Sequence, residues 1–575
     1  MRTFALFLTT MASSFTVCRL HMRGRFSLVN CFHRLDTFLH RCVGTEAVVA
    51  QEEAARGDES AEKIECKSLH ALQVERQDQA EKSVLISCQS RTSEKKFLKF
   101  LSKHGDIKKY FFYESYGVYA VVEFASRDSV SSLLESATIP SISQESIVPF
   151  KSRLLSIRNL SSVNQQLSLQ CQPQTSIPIN DLIHRLSREE TVEQQILSLT
   201  KAYQLTEENS RLRFLVCSLL KDIAAAYFPE CTIRPFGSSV NGFGKLGCDL
   251  DMFLDLDSIS GWNIKTPKSG FSLEYQMKRV NSERAITQSV LSVIGECVDQ
   301  FGPGCAGVQK ILNARCPLVR FSHQPSGFQC DLTANNRVAM KSTELLYLYG
   351  ELDPRVRSLV FTIRSWARSH GITSSIPGAW ITNFSLTIMV LFFLQRRGPP
   401  IIPTLDHLRD LAGPEDRSMI EGSDCTFVRD FSKIQLQNNT ETLEQLLCEF
   451  FEFYATFPFS RMSINIRKGK EQNKPEMSPL HIQNPFETSL NVSKNVNSTQ
   501  LDRFMALCQE SSWLLQQNKT STPNNTPTPW GLATLLLPSQ VAGIKSGKKR
   551  RREPASERIK SLLESLKKQN QEKTG

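Results

Sequence analysis

No two of the sixteen cysteines stand at CxxC spacing, and none joins a histidine cluster at zinc-ligand spacing. A disulfide framework and a metal knuckle are excluded together, leaving scattered reduced thiols. Long hydrophobic runs are missing too: the longest, Ile388–Leu394, has seven residues, where a membrane span needs about 20. No membrane partner is therefore expected. Hydrophobic residues make up 40% of the chain and charged residues 22%, so wholesale disorder and fibrous repeats are ruled out. The 575 residues exceed one compact domain and allow roughly three or four.

Lysine is absent from the first 45 residues and acid nearly so: Arg2, Arg19, Arg23, Arg25, Arg34 and Arg41 face Asp36 alone. With scattered Ser, Thr and apolar residues, that is the composition of a mitochondrial transit peptide over 1–45, and the matrix is the expected location. The competing reading is a secretory signal with Phe4–Val17 as its apolar region. Arginines that continue past the place of cleavage disfavour it. Residues 545–575 carry eleven Lys and Arg against four acids, within a formal total of +11. The body between the two ends is thus close to neutral, and attraction to polyanions must come from local patches or the ends. The run Lys548-Lys549-Arg550-Arg551-Arg552 reads as a nuclear address, an RNA-attracting tail or a solvated terminus.

Residues 46–81 are charged and poor in large apolar side chains, so they read as a linker. Over 82–158 the order becomes β-α-β-β-α-β: Ser83–Cys88, a helix in Ser93–His104, Ile107–Glu114, Val118–Phe124, a helix in Ser129–Ser136, and a returning strand within Ile147–Ile157. That order is the ferredoxin-like pattern of RNA-recognition modules. Its stacking signature is damaged, because Leu85 and Val121 stand where platform aromatics belong. A docking or dimerisation surface is the favoured reading. Residues 159–185, rich in Ser, Gln and Asn, form a second linker, and 186–230 a helical lead-in. Strands are expected around Thr232–Phe236, Leu250–Leu256, Leu318–Ser322 and Phe328–Leu332 within 231–350. Helices dominate 351–515, and 516–575 is expected to be a disordered basic tail, apart from the short apolar stretch Trp530–Leu537.

The chemistry concentrates in Phe236–Leu254. Gly237-Ser238 opens a glycine-rich turn, and ten residues later an apolar strand begins that carries Asp249 and Asp251. The two-residue period puts both carboxylates on one face while Leu250 and Met252 enter the core. Two ionised carboxylates repel, and a divalent cation relieves that cost; magnesium takes oxygen ligands and is commonly completed by substrate phosphates. Backbone amides of the turn can cradle those phosphates, since glycine permits close approach. Asp331, an acid within Phe328–Leu332, is the candidate third carboxylate.

This spacing matches the signature of the DNA polymerase β-like nucleotidyltransferases. The segments 236–257, 310–322, 330–337, 365–394 and 484–492 together resemble the noncanonical poly(A) polymerases, a terminal nucleotidyltransferase family. The degenerate RNA-recognition-like module and the leader resemble that family's mitochondrial branch. The implied fold class is α+β: a nucleotidyltransferase palm with a mixed β-sheet (231–350) and a helical central, PAP-associated domain (351–515), preceded by the ferredoxin-like module. The implied reaction is attack of an RNA 3′ end on the α-phosphate of ATP. Asp249, Asp251 and Asp331 would hold Mg²⁺ or Mn²⁺. Gly237, Ser238, Gly247 and Cys248 would cradle the nucleotide, and a homodimer through the RNA-recognition-like module is expected.

Asp353-Pro354 and Gly371 bound a helix over 354–370. Its Arg364 and Arg368 stand at i and i+4 and project together; the resemblance aims them at the β- and γ-phosphates. Asn336 matches a ribose-facing asparagine, Ser342 departs from the family's other sugar contact, and Asn383-Phe384 replaces a Ser-Tyr pair whose ring stacks on the base. Leu490 stands where uridylyltransferases carry a uracil-reading histidine, so adenine is favoured over strict UTP use, with some leakiness to other nucleotides. A terminal uridylyltransferase and an inactive RNA-binding scaffold of the same fold are the alternatives.

Overall fold

The computed structural model describes residues 67–89, 93–138, 151–158, 169–256, 282–334, 336–374, 376, 378–517 and 528–538. The expected leader at 1–45, the linker residues 46–66 and 159–168, and the 548–552 basic run lie outside them.

Strands β1 (Ser83–Cys88), β2 (Ile107–Glu114), β3 (Val118–Phe124) and β4 (Leu154–Ser156), with helices α2 (Glu94–Leu101) and α3 (Arg127–Ser136), build the ferredoxin-like module. Its sheet runs β4-β1-β3-β2, extended by β5 (Cys171–Gln172), with β4 parallel to β1 and β3 antiparallel to both β1 and β2. Val84, Ile86, Phe112, Val122 and Phe124 face α2 and α3, packing on Phe97 and Leu133. The alternate residues Leu85, Phe111, Tyr113 and Val121 share a core with Leu215, Leu219 and Phe328 of the next domain. A sheet covered on both faces carries near-continuous apolar strands. This explains the aliphatic Leu85 and Val121: the would-be stacking platform is buried within the chain. Tyr113 donates its hydroxyl hydrogen to the Pro325 carbonyl at 2.9 Å, and Arg153, 6% exposed, spans Ala80, Ser83, Ser218 and Asp222.

The expected linker 46–81 is corrected in its last turns. Helix α1 (Leu69–Glu81) starts at Ser68, whose hydroxyl accepts from the Ala71 amide. Its buried stripe is thin, Leu69, Gln73 and Ala80, and polar contacts complete its seat: Arg76 pairs with Glu207, and Gln73 donates to the Pro235 carbonyl. The second linker is corrected likewise, since β5 and helix α4 (Ile179–Leu186) occupy part of 159–185.

Helices α5 (Val192–Tyr203) and α6 (Glu207–Ala225) lead into a mixed sheet ordered β6-β7-β10-β9-β8. Its strands are β6 (Thr232–Pro235), β7 (Leu250–Asp255), β8 (Cys305–Ile311), β9 (Leu318–His323) and β10 (Phe328–Thr333). Only β7 and β10 pair in parallel. Helices α7 (Glu283–Phe301) and α8 (Arg337–Leu352) complete this palm.

The helical domain comprises α9 (Pro354–Ser369), α10 (Asn383–Gln395), α11 (Leu405–Asp410), α12 (Leu443–Thr456) and α13 (Ser498–Gln517). Asp353 caps α9, its carboxylate accepting from the Arg355 amide, with Pro354 at the first helical position. α10 is apolar all round and fully enclosed from Ser385 to Gln395. Within the apolar stretch set apart from the tail, helix α14 (Leu532–Leu535) packs on α4 and α5, burying Leu532, Ala533, Leu535 and Leu536.

Candidate active site

The turn Gly237–Ser239 leaves β6 as a single tight coil, because Gly237 adopts φ +61°. A side chain there would also come within 3.1 Å of an Asp251 carboxylate oxygen, so glycine answers two demands at once. Thr343 of α8 anchors the turn, its hydroxyl oxygen accepting from the Gly237 amide at 3.0 Å. Ser238 lies against Cys248, with its hydroxyl 3.5 Å from the sulfur.

Asp249 precedes β7 and Asp251 lies within it, directly across the parallel β7–β10 ladder from Asp331. Two strands with their carboxylates in register thus bring distant sequence positions together. Burial raises the Asp249 pKa, with the Asp331 charge adding to it. Asp251 is pushed up to about 6 by burial, then by Asp331 and Asp249. This is uncompensated negative charge, the electrostatic condition that divalent cations relieve. Asp331 is engaged elsewhere: Arg320 of β9 donates Nε to Oδ1 at 2.7 Å and Nη2 to Oδ2 at 2.6 Å. Accordingly, among the described residues no three or more His, Cys, Asp or Glu side chains are gathered tightly enough to grip an ion by themselves.

A cleft of about 840 Å³ runs from this turn to the helical domain. Gly237, Ser238, Gly247, Cys248, Asp251 and Ser342 form its palm wall; Arg364, Arg368, Asn383 and Phe384 form the other. A neighbouring cleft of about 340 Å³ gathers Asn336, Ser342, Phe384 and Leu490. Phe384 therefore borders both, as a base-stacking ring would need to. A third cleft, of about 530 Å³, lies between the ferredoxin-like module and α6, holds the Arg211–Glu123 pair, and is lined by none of the three aspartates.

One expectation is corrected. Arg364 is committed to the protein: Nη1 donates to the Phe243 carbonyl at 2.8 Å, Nη2 to the Thr387 hydroxyl at 2.5 Å, and Nε to the Asn383 carbonyl at 3.2 Å. One turn along α9, Arg368 stays exposed and lines the cleft. The residue unread in sequence is Lys245. Its ammonium sits 4.0 Å from the centre of the Tyr203 ring, and burial followed by the Arg368 charge lowers its pKa to about 8. It lines the same cleft as Arg364 and Arg368.

Residues 192–351 match the model described as "Poly(A) RNA polymerase, mitochondrial-like, central palm domain", 68–138 the RL domain, and 442–491 the Cid1 family poly A polymerase. The chain is 57% identical to the mitochondrial poly(A) RNA polymerase of Mus musculus, covering 92% of this chain and 91% of that one. It is 56% identical to the Homo sapiens protein of the same name, covering 88% and 87% respectively. A crystal structure of mtPAP in complex with ATPγS superposes with a TM-score of 0.77 at 53% identity, covering 82% of this chain and all of that one. The complex of mtPAP with GTP gives 0.76, with the same identity and coverage.

Proposed function

This chain belongs to the mitochondrial poly(A) RNA polymerase family, and on that premise we propose that it adds poly(A) tails to mitochondrial RNAs in the matrix, using ATP and no template. The observation that carries the reading is the register of Asp251 with Asp331, beside a Gly-Ser turn whose Gly237 packs tightly against the Asp251 carboxylate.

The reaction joins the RNA 3′ oxygen to the α-phosphorus of ATP and breaks the bond from that phosphorus to the bridging oxygen of the β-phosphate. Pyrophosphate leaves, and the hydroxyl proton passes to solvent. Asp249, Asp251 and Asp331 would hold Mg²⁺ or Mn²⁺, and the raised Asp251 pKa is the sign that this donor set wants a cation. When bound, such ions favour the 3′ alkoxide and neutralise charge gathering on the leaving pyrophosphate. Ser238 and the turn amides receive the triphosphate together with Lys245 and Arg368. Phe384 offers a ring face to the base, and Leu490 offers it no hydrogen-bonding group. Strict uracil selection therefore has no basis, and some tolerance of other bases is expected.

The second copy of a homodimer would dock on the ferredoxin-like module, whose palm-facing sheet is already covered. The helical face of α2 and α3 is the surface left for it.

Purified protein given oligo(A), Mg²⁺ or Mn²⁺ and one nucleotide at a time tests the proposal. Long tails from ATP are expected. Tails from UTP but not ATP would establish a uridylyltransferase instead, and extension with no nucleotide would leave a scaffold. Light scattering on the same sample reads the oligomeric state.

A further inference from the structure

Helix α6 places an arginine where an apolar residue is due. Arg213 lies inside the run Leu212–Leu220 and is 0% exposed. Burying a guanidinium costs several kcal/mol unless every donor is met. Here four of the five N–H donors are met, by three segments. Nε donates to the Asn209 side-chain oxygen one turn earlier at 2.8 Å. Nη1 donates to the Ser239 hydroxyl at 2.9 Å and to the Asp249 carbonyl at 2.9 Å, and Nη2 to the Cys248 carbonyl at 2.7 Å. The guanidinium carbon stands 4.6 Å from the ring centre of Phe328, the first residue of the strand that carries Asp331.

Two features separate this from an ordinary core brace. First, the segments it touches outside its own helix each carry a group of the proposed site: the phosphate turn, the backbone of the first carboxylate, and the strand of the third. Second, Arg213 makes no ion pair among the described residues, although it is enclosed. Its charge acts through space on Asp249 and Asp251, favouring their ionised forms.

We infer that Arg213 is a positioning residue for metal and triphosphate binding: it locks the Ser239 turn to the Cys248–Asp249 backbone, so that the phosphate cradle and the carboxylates keep one fixed spacing. The inference rests on the polymerase reading of the site. It concerns how the binding geometry is held and touches neither substrate nor ion directly. Arginine is required because a lysine ammonium has three donors on one atom and cannot span two carbonyls, a hydroxyl and an amide oxygen spread around a planar fork.

Arg213→Lys keeps the charge and loses the span. Hydrogen exchange of the metal-free full chain is the first readout. Amides of 237–240 and 248–251 should exchange at least fivefold faster in the variant, while α12 and α13 stay at the wild-type rate. The second readout is the Mg²⁺ concentration that half-completes the ATP-dependent rise in melting temperature, expected about tenfold higher, with affinity for oligo(A) unchanged. Wild-type exchange in those amides together with a wild-type Mg²⁺ midpoint would overturn the inference, as would a loss of oligo(A) affinity matching the loss of Mg²⁺ response. Should Arg213→Lys fail to fold, Ser239→Ala removes one arm of the clamp, and a threefold or greater shift of the midpoint is expected. No shift there would equally overturn it. Neither readout requires tail synthesis, so a wild-type protein that extends no RNA would sink the polymerase reading and leave this inference to be judged separately.

Discussion

Arg320 grips Asp331 through both carboxylate oxygens, at 2.7 and 2.6 Å, while keeping 43% of its side chain exposed. A guanidinium in that fork does for Asp331 what a divalent ion would otherwise do, and the fork itself raises the Arg320 pKa. The two cations therefore compete for the same oxygens. An exposed pair of this kind is worth about 1 kcal/mol, or about fivefold in an equilibrium constant. Arg320→Ala should lower the half-saturating Mg²⁺ concentration by about that factor and change global stability little. A Mg²⁺ titration of nucleotide binding checks this; a midpoint that stays or rises would show that Arg320 helps the ion instead of displacing it.

Asp251 sets the pH response. Its pKa stands at about 6 in the folded chain because burial and two neighbouring acids oppose its charge. An acid whose pKa is raised on folding holds its proton more tightly when folded, so it favours the fold at low pH, and that contribution is lost as pH rises through about 6. The cost of ionising it is on the order of 3 kcal/mol. The metal-free chain should accordingly lose melting temperature between pH 5 and 7.5, and added Mg²⁺ should restore more at pH 7.5 than at pH 5. Asp251→Asn should abolish both the pH-dependent part and the Mg²⁺ response. A Mg²⁺ increment independent of pH would refute the assignment.

The two arginines of α9 divide their duties. Arg368→Ala should raise the KM for ATP by tenfold or more with the melting temperature kept. Arg364→Ala leaves two carbonyls and a hydroxyl without their donor and should cost about 2–4 kcal/mol of stability. Steady-state kinetics and calorimetry on both variants check the split. Equal kinetic defects with no loss of stability in Arg364→Ala would return it to the phosphate-binding role.

That pair also marks the limit of what could be read in sequence. Asp249, Asp251 and the Gly-Ser turn were legible because they sit in one run of fixed spacing, and four of the palm strands were legible through their period of two. Residues at i and i+4 share a helix face, yet they differ by one turn along the axis. That rise is enough for Arg364 to reach the Phe243 carbonyl while Arg368 does not. Helix α1 escaped notice because its stripe is small and ion pairs complete its seat. β8 did so because, at the sheet edge, it exposes a mixed set of side chains. Lys245 and Arg213 owe their settings to Tyr203 and Ser239, contacts that only tertiary folding creates.

Leu85 tests the closed sheet face. In an open RNA-recognition module, restoring an aromatic at this position would strengthen stacking by ~1–3 kcal/mol. Here the side chain is 0% exposed and faces the palm core. Leu85→Tyr should therefore overpack, lowering stability by about 1–3 kcal/mol, with no gain in affinity for single-stranded RNA. Tighter RNA binding by that variant would mean that the face opens.

The docked segment around α14 carries the last prediction. A chain ending at Gln517 loses Leu532, Ala533, Leu535 and Leu536, all at most 2% exposed, from the core they share with α4 and α5. It also strips the buried Gln195 of the Leu532 amide and the Trp530 carbonyl, and the His370 ring of the Leu535 carbonyl. Burial of three leucines is worth up to about 2 kcal/mol each, so a loss of roughly 3–6 kcal/mol is expected after the freed surface hydrates. A chain ending at Pro538 keeps these contacts and should melt with the full chain. Because His370 closes the turn that bears Arg368, the chain ending at Gln517 should also raise the KM for ATP while the chain ending at Pro538 leaves it alone. Identical melting of the two truncations would show that the segment rests on the surface without supporting it.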